Sequence, residues 1–131
     1  MHENEISAFI REAAFDIHRE LGPGLLEKIY QRALYIELLD KGLKVEAEVE
    51  MRVLWRGRDI GVGYKADLII ENKVIIELKS VEQLTTVHHK QLLTYLKLKD
   101  MKLGMLINFN EALIKSGIVR IVNGLEENFY D

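Results

Sequence analysis

Glu77 and Lys79 stand two apart in the run NKVIIELKSVEQL (72–84), and Asp67 precedes them. Side chains two apart on a strand point to one face, so a carboxylate and an ammonium lie side by side at a strand end. On an exposed strand such a pair is an ordinary surface ion pair. Val74-Ile75-Ile76, however, is apolar on both faces. That marks a central strand, where charge is costly unless it is paired or bound to a metal. Asp67, on the preceding strand, supplies a second acid, although it also suits a strand entry near a turn. If the hairpin turns through Glu71-Asn72-Lys73, Ile70 opposes Val74 and Asp67 opposes Glu77, within roughly 5.5 Å at Cβ. A two-residue turn would put Asp67 on the opposite face, so an odd loop, or a bulge with the same effect, is expected. Asn72 tolerates the positive φ that a three-residue loop often needs. Opposed carboxylates repel unless a cation lies between them. Two acids and one backbone carbonyl, here that of Leu78, suit Mg²⁺ or Mn²⁺, whose shell water and phosphate complete. Lys79 on the acid face would hold the attacking water or the charge developing on a phosphate. The chemistry is phosphodiester hydrolysis.

The elements that must hold these side chains follow from periodicity. Ile6, Phe9, Ile10, Ala13, Ile17 and Leu21 recur at three and four, which predicts an amphipathic helix over 4–20. Gly22-Pro23-Gly24 breaks it. A second helix is predicted from about Leu25 to Lys41, with Leu26, Ile29, Ala33 and Leu38 on one stripe and Gly42 at its end. The period then becomes two: Val45, Ala47, Val49, Met51 and Val53 alternate with Glu46, Glu48, Glu50 and Arg52. This predicts a strand with one solvated acidic face and no lysine partner, not a metal site. Residues 56–59 (RGRD) are predicted as a turn. Strands follow over 65–71 and 74–80, then a helix over 86–100 with Leu92, Leu93 and Leu96 as its apolar part. Strands over 103–109 and 118–122 complete the chain, the last near an edge. The order ααβββαββ is α/β: a central mixed sheet flanked by helices. The crossover helix between the third and fourth strands implies some parallel pairing.

At 131 residues, the chain is expected to form a single domain over 1–131. It has no Cys, which excludes disulfides, thiolate metal sites and thiol catalysis. A net charge of −3 argues against strong non-specific nucleic-acid binding. It leaves room for a local basic cleft, rimmed by Lys65, Lys79, Lys90, Lys97 and Lys99. No apolar run approaches ~18 residues, so no membrane span is expected. The start, MHENEISAFIREAA, is too acidic for a signal or transit peptide. A cytoplasmic protein is expected.

Asp67, then Glu77-x-Lys79, then Gln91-Leu-Leu-Thr-Tyr95 on the following helix, resemble the PD-(D/E)XK nuclease superfamily. Its fold is restriction-endonuclease-like. The Gln-x-x-x-Tyr pattern is similar to the RecB-like and Cas4-like branch. Gly24-Leu-Leu-Glu27-Lys-Ile-Tyr30 resembles the signature of the GxxExxY protein family within that superfamily, as do ELKSVEQLTTVHHKQLLTYLK and LGMLINF. The resemblance covers about residues 4 to 123. It implies that Asp67 and Glu77 are metal ligands and that Lys79 is the catalytic lysine. Glu27 matches a helical acid that reaches the metal directly or through water. Gln91 and Tyr95 match a pair lining the cleft. Ala66 stands where the motif has Pro, at a variable position.

Other roles remain open for the helical residues. Gln91 and Tyr95, four apart, share a helix face, and His88 lies one turn earlier as a possible cleft residue. Yet Tyr95 also suits half-buried core, Gln91 a solvated surface, and His88 a packing position. Tyr30 suits packing between helix and sheet. Glu27 would be favourable at a helix start for its charge alone. The expected activity is Mg²⁺- or Mn²⁺-dependent hydrolysis of nucleic acid, DNA in the first place. A nuclease this small usually needs a homodimer or a protein partner to hold its substrate. The alternative is a catalytically weak or inactive nucleic-acid-binding or regulatory module on the same fold.

Overall fold

The computed structural model describes residues 1–126, so the end of the domain expected over 1–131 lies outside the described residues. The elements are α1 (Glu3–Leu21), α2 (Glu27–Asp40), β1 (Val45–Trp55), β2 (Arg58–Ile70), β3 (Val74–Lys79), α3 (Thr86–Lys99), β4 (Leu103–Asn108) and β5 (Ile118–Val122). A 3₁₀ turn, Ile114–Gly117, precedes β5. The strands form one sheet in the order β1-β2-β3-β4-β5. Only β3 and β4 pair in parallel, and α3 makes the crossover between them. The predicted order and the edge position of β5 are therefore observed.

Helices α1 and α2 cover one face, where Leu68, Ile70, Val74, Ile76, Leu78, Met105 and Ile107 are buried. Helix α3 covers the other through Leu92 and Leu96, against Ala66, Ile69, Ile75 and Leu106. Strands β3 and β4 are buried on both faces, which is why their sequences run apolar rather than alternating. A Cβ at Gly104 would lie 2.8 Å from Leu92 Cγ, so glycine lets α3 close onto β4. Gly104→Ala is expected to cost about 1–3 kcal/mol by overpacking. A urea unfolding curve superimposed on that of the wild type would contradict this.

Several details differ from expectation, and β2 starts at Arg58 rather than at residue 65. In α2, Leu26 and Ile29 are exposed, and the buried stripe is Tyr30, Leu34 and Leu38. The helix starts only at Glu27, and its first inward position is taken by the Tyr30 ring, which stacks on Phe109. The turn expected over 56–59 is shorter. Arg56 and Gly57 both have positive φ (49° and 78°) between the paired Trp55 and Arg58. This is a two-residue hairpin loop that matches strand twist. Finally, β1 does not keep its apolar residues on one face. Glu48 adopts φ 52°, after which Val49 and Met51 pack on the α3 side, while Val45 packs with α1 and α2 and Ala47 is exposed. Strand β2 slips likewise: Ala66 and Ile69, three apart, both face α3. Nor is the acidic face without lysines. Lys44 lies 3.6 Å from Glu46, and Glu48 pairs with Lys28 and Lys65.

Candidate active site

The β2–β3 hairpin has the predicted odd loop. Ile70 pairs with Val74, and Glu71 and Asn72 both have φ 54°. The ladder then ends early, at Leu68–Ile76, although both strands continue. Asp67 therefore does more than face Glu77 across a continued register. Its Oδ2 accepts a hydrogen bond from the Leu78 N–H at 2.8 Å, replacing the strand partner that β3 has lost. On the other side, the Lys79 carbonyl accepts from the Phe109 N–H at 3.1 Å. Successive strand residues direct their backbone groups to opposite edges, so the Leu78 carbonyl turns with its N–H toward the opening beside Asp67.

Glu77 and Lys79 lie on the α3 side of β3. Their side chains are only 16% and 24% exposed, with Nζ 3.8 Å from Oε1. The Tyr64 hydroxyl donates to Glu77 Oε2. The Tyr64 ring is stacked on Tyr95, with centroids 3.4 Å apart and planes at 7°. Burial, and next the Asp67 charge, push the Glu77 carboxyl up to about 7. Burial raises Asp67 as well, with Glu27 adding to the rise and the Leu78 N–H opposing it. Burial and Glu77 together hold the Tyr64 hydroxyl far above its ordinary value. Tyr95 is raised by burial first and Glu77 second. Neighbouring acids in a low-dielectric setting, with one ammonium close to them, make a site short of positive charge.

Glu27 arrives from the other side of the sheet. Its Oε1 accepts from the Ser80 N–H at 3.1 Å, just past the end of β3. The Ser80 hydroxyl donates to the Leu25 carbonyl at 3.3 Å. Tyr30 fastens the glycine turn that leads to Glu27. Its hydroxyl donates to the Gly22 carbonyl at 2.6 Å and accepts from the Leu25 N–H at 3.0 Å, while its ring stacks 4.3 Å from Phe109. The spacing Gly24-x-x-Glu27-x-x-Tyr30 thus joins an acid to the residue that holds its turn. Tyr30→Phe keeps the stack and leaves both backbone groups without that partner. We expect a loss of about 1–3 kcal/mol, read as a lower denaturant midpoint at an unchanged slope.

The remaining sequence-selected residues are placed unevenly. Tyr95 joins the cluster through Tyr64. His88 caps α3, its Nδ1 accepting from the Thr85 N–H at 3.1 Å in a reciprocal capping box. Gln91 is exposed, and among the described residues no hydrogen bond ties its side chain to the acids. Sequence reasoning missed Tyr64, Ser80 and Asn108. Asn108 is fully buried and grips Val81 through both its N–H (3.1 Å) and its carbonyl (2.9 Å), fixing the chain just after β3. A lone amide at the end of the apolar run LGMLIN was its signal. Tyr64 carried none, because three residues before Asp67 is the wrong parity on a regular strand.

A cavity of about 850 Å³ between α2 and β1 is lined by Gln31, Tyr35, Glu46, Glu48 and Val49 among others, and Asp67, Glu77 and Glu27 do not line it. Among the described residues, no three His, Cys, Asp or Glu side chains form a metal cage, and no helix is long and apolar enough to cross a membrane.

A mixed five-stranded sheet with flanking helices, parting beside an acid pair and a lysine, is the architecture of a restriction-endonuclease-like, nuclease-type domain. A family model of the PD-(D/E)XK nuclease superfamily matches residues 4–121, and the chain belongs to that superfamily. No curated protein and no solved structure matches the chain.

Proposed function

We propose that this chain hydrolyses phosphodiester bonds of nucleic acid, DNA in the first place, with Mg²⁺ or Mn²⁺. The observation that carries this is the convergence of Asp67, Glu77 and Lys79 where β2 and β3 part. The donor set fits a hard cation. Two mutually repelling carboxylates and a strand carbonyl match the one or two carboxylates that Mg²⁺ usually takes from protein, with no closed cage. Asp67, Glu77 and the Leu78 carbonyl would hold it, with Glu27 acting directly or through water. The bound ion would polarise the phosphate and activate water.

The chain's own groups do the rest. The Lys79 ammonium donates to the attacking oxygen or to a phosphate oxygen as negative charge grows there. The bond from water oxygen to phosphorus forms as the bond to the departing sugar oxygen breaks; the attacking water releases one proton to solvent and the departing oxygen takes one up. Tyr64 holds Glu77 against rotation. Tyr95, Gln91 and the free Nε2 edge of His88 would face the strand along α3. The finer membership in the GxxExxY family, and the kinship to the RecB-like and Cas4-like branch, belong to the same proposal. They are supported by the way Tyr30 positions the Glu27 turn.

The test is incubation of the purified chain with labelled single- and double-stranded DNA and RNA in Mg²⁺, Mn²⁺ or a chelator. Cleavage is expected with either metal, none with chelator, and DNA cut faster than RNA. Binding of nucleic acid without cleavage under any metal would make the chain a regulatory module instead.

A further inference from the structure

The β1–β2 hairpin reaches well beyond the rest of the sheet. Strand β2 pairs with β3 only through Leu68, Ile69 and Ile70, yet it begins at Arg58. No residue from Arg52 to Gly63 is buried. Leu54, Trp55 and Ile60 are 65%, 62% and 64% exposed. The outer end is therefore a two-stranded ribbon standing in solvent.

Its charge is uneven. Asp59 is the only acid in the stretch Arg52–Gly63. Its carboxylate is engaged by Arg52 Nε at 2.6 Å and by the Gly61 N–H at 2.8 Å. Arg56 and Arg58 make no ion pair among the described residues. Arg56 lies over the Trp55 ring, 5.2 Å from its centroid. The turn puts Arg56 at φ 49°, where Asn is the ordinary choice. A side chain such as Arg pays roughly 1 kcal/mol for that conformation. A costly cation thus occupies the outermost point of a chain whose net charge is −3.

We propose that this ribbon is a second contact for the substrate, gripping a nucleic-acid backbone away from the scissile bond. The proposal rests on the phosphodiesterase function above. Arg56 and Arg58 would pair with phosphates, and Trp55 would lie against sugar or base. The ribbon is continuous with the strand that carries Asp67. At ~3.3 Å per residue, Arg58 stands about 30 Å from Asp67, or some nine base-pair steps. A second copy of the chain fits the tip less well. A twofold contact through the tip would set Arg56 and Arg58 against their own counterparts.

Arg56→Asn/Arg58→Thr is the test, because Asn suits the turn and Thr suits the strand. Both it and its parent carry Lys79→Ala to keep DNA intact, and binding is read by fluorescence anisotropy on a 30-base-pair duplex. Losing two phosphate contacts is expected to lower affinity about tenfold or more and to flatten the salt slope by about two. A six-base-pair duplex cannot span from the acids to the tip, so on it the two proteins should bind alike. Equal affinity and slope on the long duplex overturn the proposal. So does an unchanged affinity accompanied by conversion of a dimer to a monomer on gel filtration, which would make the ribbon a self-association surface. If the wild type cleaves DNA and the double variant binds normally, only the ribbon's role fails. If the parent binds no nucleic acid and the wild type cleaves none, both proposals fail.

Discussion

Lys79→Ala is expected to lower the cleavage rate by about 10²–10³-fold or more, with little change in substrate affinity. Lys79 is a short reach from Glu77, at 3.8 Å, and is 24% exposed. The pair is largely buried, but burial already holds the Glu77 carboxyl up at about 7, so it takes up a proton when the ammonium is lost, which limits the cost to the fold. The ammonium matters where negative charge grows during the reaction, because a donor already in place needs no reorganisation. Rate and stability should therefore separate. The melting temperature should move by no more than a few degrees, whereas single-turnover cleavage should all but vanish. Lys79→Arg keeps the charge but replaces a compact ammonium with a planar fork, so only partial recovery is expected. An Ala variant retaining a tenth or more of the wild-type rate would remove Lys79 from the chemistry.

Glu77→Gln is expected to abolish cleavage and yet stabilise the protein at pH 8. Burial and Asp67 hold the Glu77 carboxyl up at about 7, above its ordinary 4.5. Below 4.5 it is protonated in both the folded and the unfolded chain and contributes nothing. Between 4.5 and 7 the folded chain binds the additional proton, so stability falls as pH rises. Above 7 the carboxylate is charged in both states and the whole penalty remains, on the order of 2–3 kcal/mol. Gln carries no charge and still offers Tyr64 an acceptor. Its melting temperature at pH 8 should exceed that of the wild type by about 5–10 °C. The difference should shrink toward pH 4.5. Mg²⁺ should raise the melting temperature of the wild type more than that of the variant, since binding to the folded state alone stabilises it. A Gln variant that melts below the wild type at pH 8 would show that Glu77 is satisfied without a cation.

Stability and function therefore oppose each other at one carboxylate. Asp67 is better anchored, by the Leu78 N–H, and Lys79 lies beside Glu77. The Tyr64 hydroxyl holds Glu77 in place without neutralising it. Glu27, reaching in past Ser80, adds negative charge near Asp67.

What was legible in the sequence was local. Hydrophobic spacing marked the helices and the buried strands because burial follows a 3.6- or two-residue period. The parity of the Glu71-Asn72-Lys73 loop brought Asp67 and Glu77 toward one another, because turn length sets the register in which the two strands leave the hairpin. Charge on the doubly buried β3 singled out Glu77 and Lys79 for the same local reason. Tertiary structure decided the rest. The period-two pattern of β1 concealed the left-handed Glu48 and the slip shared with β2, and that slip puts Tyr64 beside Glu77. The early end of the β2–β3 ladder turned Asp67 from a facing acid into the partner of the Leu78 N–H. Glu27 met Ser80, and Asn108 met Val81, only after α2 and β4 had docked against β3. These contacts join residues far apart in the chain, and no local period encodes which distant group will fill a backbone vacancy. The short sequence motif named the acids and the lysine; the parting of two strands determined what each of them touches.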